Sequence, residues 1–256
     1  DLLVSRLDSD DLPASTELKD EPASETATAF AGRGSLVAQR GANVNFGIVA
    51  DVTSDRESFI FGRALGTDPT DAADRVSAAV SAEEPFVAST LKHFPGHGAA
   101  AGDSHHSIPT TDMSLGRWHD THAMPFVAGI DAGASLLMFG HLAYTAVDDA
   151  PASLSAEWHE IARDELGFDG VMVTDDLGML QSSGVSAYED PVRNAVLAIA
   201  AGNDMVLAVA LSTPATAEKM VTGIAKAVES GEIPPERLQD AAERVTALRL
   251  QIVADG

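Results

Sequence analysis

The sequence predicts an α/β fold arranged as a (β/α) TIM-type barrel. Short apolar or β-branched runs alternate with helical stretches along most of the 256 residues. The runs are near-continuously apolar, as parallel strands covered on both faces must be. The length matches one barrel of about 250 residues. No Gly-x-Gly-x-x-Gly follows a strand, which counts against a doubly wound dinucleotide-binding sheet. The expected organisation is a single domain over residues 1–256.

The elements follow in order. Residues 1–42 are polar and acidic, then Ala-rich, and 23–39 read as a helix interrupted around Gly32 and Gly34. Strands are expected at 43–49, 86–91, 135–139, 170–173 and 204–209. Helices are expected at about 70–82, 117–132, 155–166, 190–201, 214–229 and 235–253. The stretch 155–166 shows the logic. Ser155 is an N-cap with Glu157 in the first turn. Trp158, Ile161, Ala162 and Leu166 share one face, and Gly167 stops the helix.

Composition narrows the function. Sixteen basic and 39 acidic residues give a formal charge of −23. Nucleic acid and anionic membrane surfaces need clustered Lys and Arg, so neither is an expected partner. No run of about 18 apolar residues is present, so no membrane-spanning helix is predicted. The chain contains no cysteine, which excludes disulfides, a thiolate nucleophile and sulfur metal sites. It begins at Asp1 without Met or a leader pattern, and reads as a piece of something longer.

In a parallel α/β fold, ligands bind beyond the carboxyl ends of the strands. Those ends carry Asp51, Lys92-His93, His141 and Thr174-Asp175-Asp176. The second strand runs into Lys92-His-Phe-Pro-Gly-His-Gly98 and then Asp103-Ser-His-His106. This loop of about twenty residues holds four of the eight histidines, and loops so long inside a domain are usually functional. Three readings of it stay open from spacing alone. Asp103 and His105 suit an acid/base pair, with Asp175 as nucleophile or charge stabiliser. His93, His97, Asp103, His105 and His106 would suit a metal site, although Pro95 and the glycines break the helical meaning of the i, i+4 spacing. A structural loop with solvated histidines is the third.

Several motifs, in order, resemble glycoside hydrolase family 3, and within it the bacterial β-N-acetylglucosaminidases. Lys92–Gly98 is similar to the family signature, and Asp103-Ser104-His105 to the loop that marks the N-acetylglucosaminidase branch. Residues 43–52 resemble the family's third strand and 166–177 its nucleophile strand. Arg63-Ala-Leu-Gly-Thr-Asp-Pro69 and Pro151-Ala-Ser-Leu-Ser155 also fit. The resemblance implies that Asp175 is the nucleophile of a retaining mechanism and His105 the general acid/base, oriented by Asp103. It implies that Lys92, His93 and Arg63 bind sugar hydroxyls, as does Arg6 on a shorter match, and that His141 lines the pocket. It implies a carbohydrate substrate, a terminal β-linked N-acetylglucosamine of peptidoglycan fragments, and neither cofactor nor metal.

The family has two strands before the segment that begins here, the second carrying Asp-Gln-Glu-Gly-Gly. That motif is absent, and only five barrel strands are read instead of eight. The expectation is therefore a missing N-terminal portion, or a partner, that completes the barrel. The alternatives are a phosphorylase or β-glucosidase of the same family, a zinc hydrolase using His93, His97 and His105, and a non-catalytic sugar-binding domain.

Overall fold

The computed structural model describes residues 11–254. In chain order the elements are α1 (Ser15–Leu18), α2 (Ala23–Gln39), β1 (Val44–Val49), α3 (Pro69–Glu83), β2 (Ala88–Phe94), β3 (Thr110–Thr111), α4 (Leu115–His119), α5 (Ala123–Asp131), β4 (Leu136–Phe139), β5 (Ala143–Tyr144), α6 (Ala156–Glu160), β6 (Val171–Asp176), α7 (Leu177–Gln181), α8 (Pro191–Ala201), β7 (Met205–Leu207), α9 (Pro214–Glu229) and α10 (Pro235–Ala254). The fold is α/β with a mainly parallel sheet. No closed barrel is found among the described residues, and the strands run as the five read from the sequence, together with the short pair β3 and β5. Five strands are too few to close the ring that takes eight in a (β/α) barrel.

The chain forms two compact units. The first comprises the residues up to Ala99, Gly116–Leu137 and those from Ile252 on; the second comprises Ala100–Leu115 and Met138–Gln251.

In the first unit β1 and β2 pair in parallel, with Val44 opposite Ala88 and Val49 opposite Lys92. The register slips between Asn45 and Ile48, a bulge at Phe46-Gly47. Helix α2 runs unbroken through Gly32 and Gly34. Its glycines let other chain segments approach: a Cβ at Gly32 would stand 2.7 Å from Leu12, and one at Gly34 3.2 Å from Glu83. Asp68 caps α3 through Thr70 N–H, with Pro69 at the first helical position. The expected helix 117–132 is instead α4 and α5, with His122 between them. Phe94 meets Phe126 and Trp118 edge to face at 5.3 and 5.9 Å, and Trp118 Nε1–H donates to Pro95 O at 2.7 Å. That core fixes the turn where β2 ends.

In the second unit β6 and β7 pair in parallel, and β3 pairs with β5 inside what the sequence suggested was plain loop. Ser155 caps α6 as expected. The helix then widens into one π turn, Ile161–Glu165, closed by Leu166 N–H to Ile161 O. The π turn aims Arg163 inward, onto Phe168 O, Gly170 O and the Asp204 carboxylate. Asp190-Pro191 and Thr213-Pro214 start α8 and α9 by the same cap-then-proline device as α3. Leu177, Leu180, Ala195 and Met220 form one core cluster, and Val196, Ile199, Ala227 and Ile233 another.

Two buried carboxylates generate predictions. Asp204 has no exposed side-chain surface and pairs with Arg163 and Arg237 at 2.5 Å and with Arg244 at 3.5 Å, while accepting Met172 N–H. Burial pushes the Arg163 guanidinium down to about 10, so it is still ionised at neutral pH. Asp204→Asn leaves these guanidiniums short of a counter-charge and is expected to cost roughly 3 kcal/mol in urea unfolding. Glu83 is fully buried, accepts Asn45 Nδ2–H at 2.6 Å, and is pushed by burial from 4.5 up to about 7. A folded-state value above the unfolded one favours folding while the group is protonated. That contribution is complete below about pH 4.5 and is lost as pH rises through 7. Glu83→Gln is expected to add roughly 2 kcal/mol at pH 8 and almost nothing at pH 4; equal gains at both would refute the titration.

Candidate active site

Each unit gathers part of the expected set. In the first unit the set is built on the ends of β1 and β2. The strand reaches further than expected, so Lys92 and His93 lie within β2; Lys92–His93 and Phe94–Pro95 are cis peptide bonds. The β1 bulge takes the Phe46 carbonyl out of the regular ladder, and Lys92 Nζ–H donates to it. Asp51, two residues beyond β1, is buried. Its Oδ2 accepts the His93 main-chain N–H at 3.2 Å and faces His93 Nδ1 at 2.7 Å. Its Oδ1 accepts His97 N–H at 2.5 Å. Burial opposes the Asp51 charge, but His93 and His97 outweigh it and hold the carboxyl below its ordinary value.

Arg63 Nη2 lies 3.4 Å from His93 Nε2. Arg56, the other arginine of this loop, is exposed and stands 5.8 Å from the Phe61 ring. The geometry thus brings Arg63 to His93. His97 packs edge-on to Phe59 at 4.7 Å. Gly98 is required here: a Cβ would stand 2.0 Å from Val52 O.

In the second unit His105 Nδ1 faces Asp103 Oδ1 at 2.5 Å, and the same oxygen accepts His105 N–H at 3.0 Å. The two-residue spacing works as a turn in which the carboxylate grips both main chain and ring. Partial burial opposes the Asp103 charge, yet the His105 N–H and ring hold it below its ordinary value. Both side chains are solvent-accessible, His105 at 54%. A carboxylate accepts only, so the imidazole Nδ1 carries the proton and Nε2 is turned away from Asp103.

Asp175 and Asp176 end β6, and the β6–β7 register slips between Val173 and Asp176. Leu207 N–H donates to Thr174 Oγ1 at 3.0 Å. This irregularity at Thr174-Asp175 re-aims the strand end. Asp176 then serves the main chain. Its Oδ1 accepts Gly178 N–H and Val209 N–H at 3.1 and 2.9 Å, and its Oδ2 accepts Ala210 N–H at 2.8 Å. Gly178 allows this approach, since a Cβ there would stand 2.3 Å from Ala210 O. Asp175 is half-buried, and its Oδ1 accepts Asp176 N–H at 2.8 Å.

His141 is buried and held at both nitrogens. Nε2–H donates to Asp176 O at 2.9 Å, so Nδ1 accepts from Ser153 Oγ at 2.7 Å. It underpins the main chain behind the two aspartates. Arg6 lies outside the described residues. No group of three or more His, Cys, Asp or Glu suited to a metal occurs among the described residues. Asp51 and Ser153 are the supporting residues that sequence reasoning passed over. Asp51 was visible at a strand end, and Ser153 within Pro151-Ala-Ser-Leu-Ser155, but nothing in one dimension paired either with a histidine.

A family model described as the glycosyl hydrolase family 3 N terminal domain matches residues 4–248. A beta-hexosaminidase of Chromobacterium violaceum is 37% identical over 191 residues, 72% of this chain and 51% of that protein. One from Pseudomonas aeruginosa is 34% identical over 232 residues, 89% of this chain and 67% of that protein. A solved glycoside hydrolase family 3 beta-N-acetylglucosaminidase from Paenibacillus sp. str. FPU-7 matches with a TM-score of 0.86 at 31% identity, over 93% of this chain and 45% of that one. A beta-N-acetylhexosaminidase from Beutenbergia cavernae matches with a TM-score of 0.81 at 30% identity, over 92% of this chain and 71% of that one. This chain thus spans about half the length of the first of these relatives. With the family model covering nearly all of it, the chain belongs to glycosyl hydrolase family 3 and corresponds to that family's N-terminal domain.

Proposed function

We propose that this domain is the catalytic part of a retaining β-N-acetylglucosaminidase that removes terminal β-linked N-acetylglucosamine, with peptidoglycan fragments as the substrate class. The observation that carries the reading is the Asp103–His105 dyad, a proton-transfer group with one ring nitrogen held by a carboxylate and a solvent-accessible side chain. The relatives named beta-hexosaminidase support the choice of sugar.

Asp175 is the nucleophile. It stands at the end of the strand that resembles the family's nucleophile strand, whereas its neighbour Asp176 accepts three main-chain N–H groups. A carboxylate oxygen of Asp175 bonds to the anomeric carbon as the glycosidic C–O bond breaks. His105, protonated at both nitrogens, gives its Nε2 proton to the departing oxygen. Water then attacks the same carbon, returns a proton to Nε2 and releases Asp175. An imidazole does this near neutral pH, where a second carboxylic acid would need a raised pKa. Asp103 keeps the ring in the orientation and tautomer the transfer needs. Lys92, Arg63 and His93 are read as the groups that bind sugar hydroxyls, and Arg6 joins them by resemblance alone. His141 supports the aspartate-bearing strand end.

The test is release of nitrophenol from an aryl β-N-acetylglucosaminide, with free N-acetylglucosamine as product in phosphate buffer. A sugar 1-phosphate would instead identify a phosphorylase, and loss of rate with a chelator would identify a metal hydrolase. Asp175→Asn is expected to lower kcat by on the order of a thousandfold or more with an unchanged melting temperature. Asp176→Asn is expected to show mainly a stability loss of about 2 kcal/mol, because an amide cannot accept all three N–H bonds. If Asp176→Asn were instead the silent-fold, dead-enzyme variant, the nucleophile assignment would be wrong. His105→Ala is expected to lose about a hundredfold or more on substrates with poor leaving groups, and far less on activated aryl glycosides that leave without a proton. Equal losses on both would remove the acid role.

A further inference from the structure

We propose that Asp51 is a positioning residue for sugar binding, holding His93 in the Nδ1–H tautomer so that Nε2 presents a lone pair toward Arg63. This rests on the preceding reading of Lys92, His93 and Arg63 as hydroxyl-binding groups. Two independent contacts require the same tautomer. On one side, the buried Asp51 carboxylate lies 2.7 Å from Nδ1 and already accepts two main-chain N–H groups, from His93 and His97. Its two histidine neighbours hold its pKa below the ordinary carboxylate value, so it is ionised at neutral pH and can only accept, and Nδ1 must donate. On the other side, Arg63 Nη2 lies 3.4 Å from Nε2, and a guanidinium can only donate, so Nε2 must accept. The result is a chain, Asp51 to His93 to Arg63, in which each member fixes the next. The other tautomer would set a bare Nδ1 against the carboxylate and an N–H against the guanidinium.

The consequence is specific. In a neutral His93 of this tautomer the single Nε2 lone pair is turned to Arg63, and Nε2 has no N–H to donate to a sugar hydroxyl. Hydrogen-bond donation to the sugar then falls to Arg63 and Lys92. Asp51 touches no sugar in this scheme and acts through His93, as outer partners of functional histidines do. The carboxylate also holds the main chain at both His93 and His97, so its loss would disturb the loop as well as the ring, and the test must separate the two.

Long-range ¹H–¹⁵N NMR on histidine-labelled parent protein reads the tautomer without a variant and without activity. His93 is expected to show a protonated Nδ1 and a bare Nε2; protonation at Nε2, or a mixture of tautomers, overturns the inference. Kinetics on the aryl glycoside then test the route. Asp51→Asn is expected to lower kcat/KM by on the order of tenfold, chiefly through KM. In a His93→Ala background the same substitution is expected to change kcat/KM by less than about twofold, because the residue it acts through is gone. An undiminished loss in that background, with melting temperatures showing both proteins folded, would mean Asp51 acts only on the loop and would also overturn the inference. A parent protein that shows no turnover would strike the functional reading alone, since the NMR result decides the tautomer either way.

Discussion

A parallel strand that stops leaves main-chain N–H groups beyond it with no ladder partner, and in a buried position such groups must find an acceptor. This protein supplies carboxylates. Asp51 accepts the N–H groups of His93 and His97, and Asp176 those of Gly178, Val209 and Ala210. At the starts of strands Glu84 accepts from Ser89 and Ser135, and Asp204 from Met172. Each is an ionised or ionisable group spent on holding main chain. The catalytic candidates are defined by contrast with them. At the end of β6 the second aspartate, Asp176, holds three main-chain N–H groups, and the first, Asp175, accepts the N–H of Asp176.

The same constraint explains why irregular strands occur where they do. Both described irregularities lie in parallel pairs that carry candidate site residues. Phe46-Gly47 in β1 takes a carbonyl out of the ladder that Lys92 then caps, and Thr174-Asp175 in β6 lies where the strand is turned to end in two aspartates. A regular ladder would alternate side chains strictly between two faces. Extra residues break that alternation and let adjacent positions serve different ends. Glycines complete the arrangement where loops are drawn tight. Gly98 lies against Val52 O and Gly178 against Ala210 O, and no larger residue fits at either.

Histidine identity follows from surroundings rather than from sequence position. His93, His105 and His141 all stand at strand ends or in the loop that follows, yet each is held differently. His93 lies between a carboxylate and a guanidinium, His105 rests on one carboxylate with an accessible ring, and His141 is locked between a hydroxyl and a carbonyl. Only the second has the exposure that proton exchange with a substrate and water needs.

The alternation of strands and helices, the caps at Ser155 and the stop at Gly167, and the motif set from Arg63 to Asp175 were all legible in one dimension. They rest on local rules of periodicity, turn chemistry and spacing. The Asp103–His105 contact was legible too, because a two-residue turn is local. What the sequence could not determine depended on partners distant along the chain. These include the unbroken α2, whose Gly32 and Gly34 accommodate Leu12 and Glu83, and the π turn that delivers Arg163 to Asp204, 41 residues away. They include the pairing of Asp51 with His93, 42 residues on. Periodicity reports which face of an element is apolar, but not which other element covers it. For that reason local chemistry was decided by the sequence, and the hydrogen bonds that choose among neighbouring aspartates, arginines and histidines were decided only by tertiary structure.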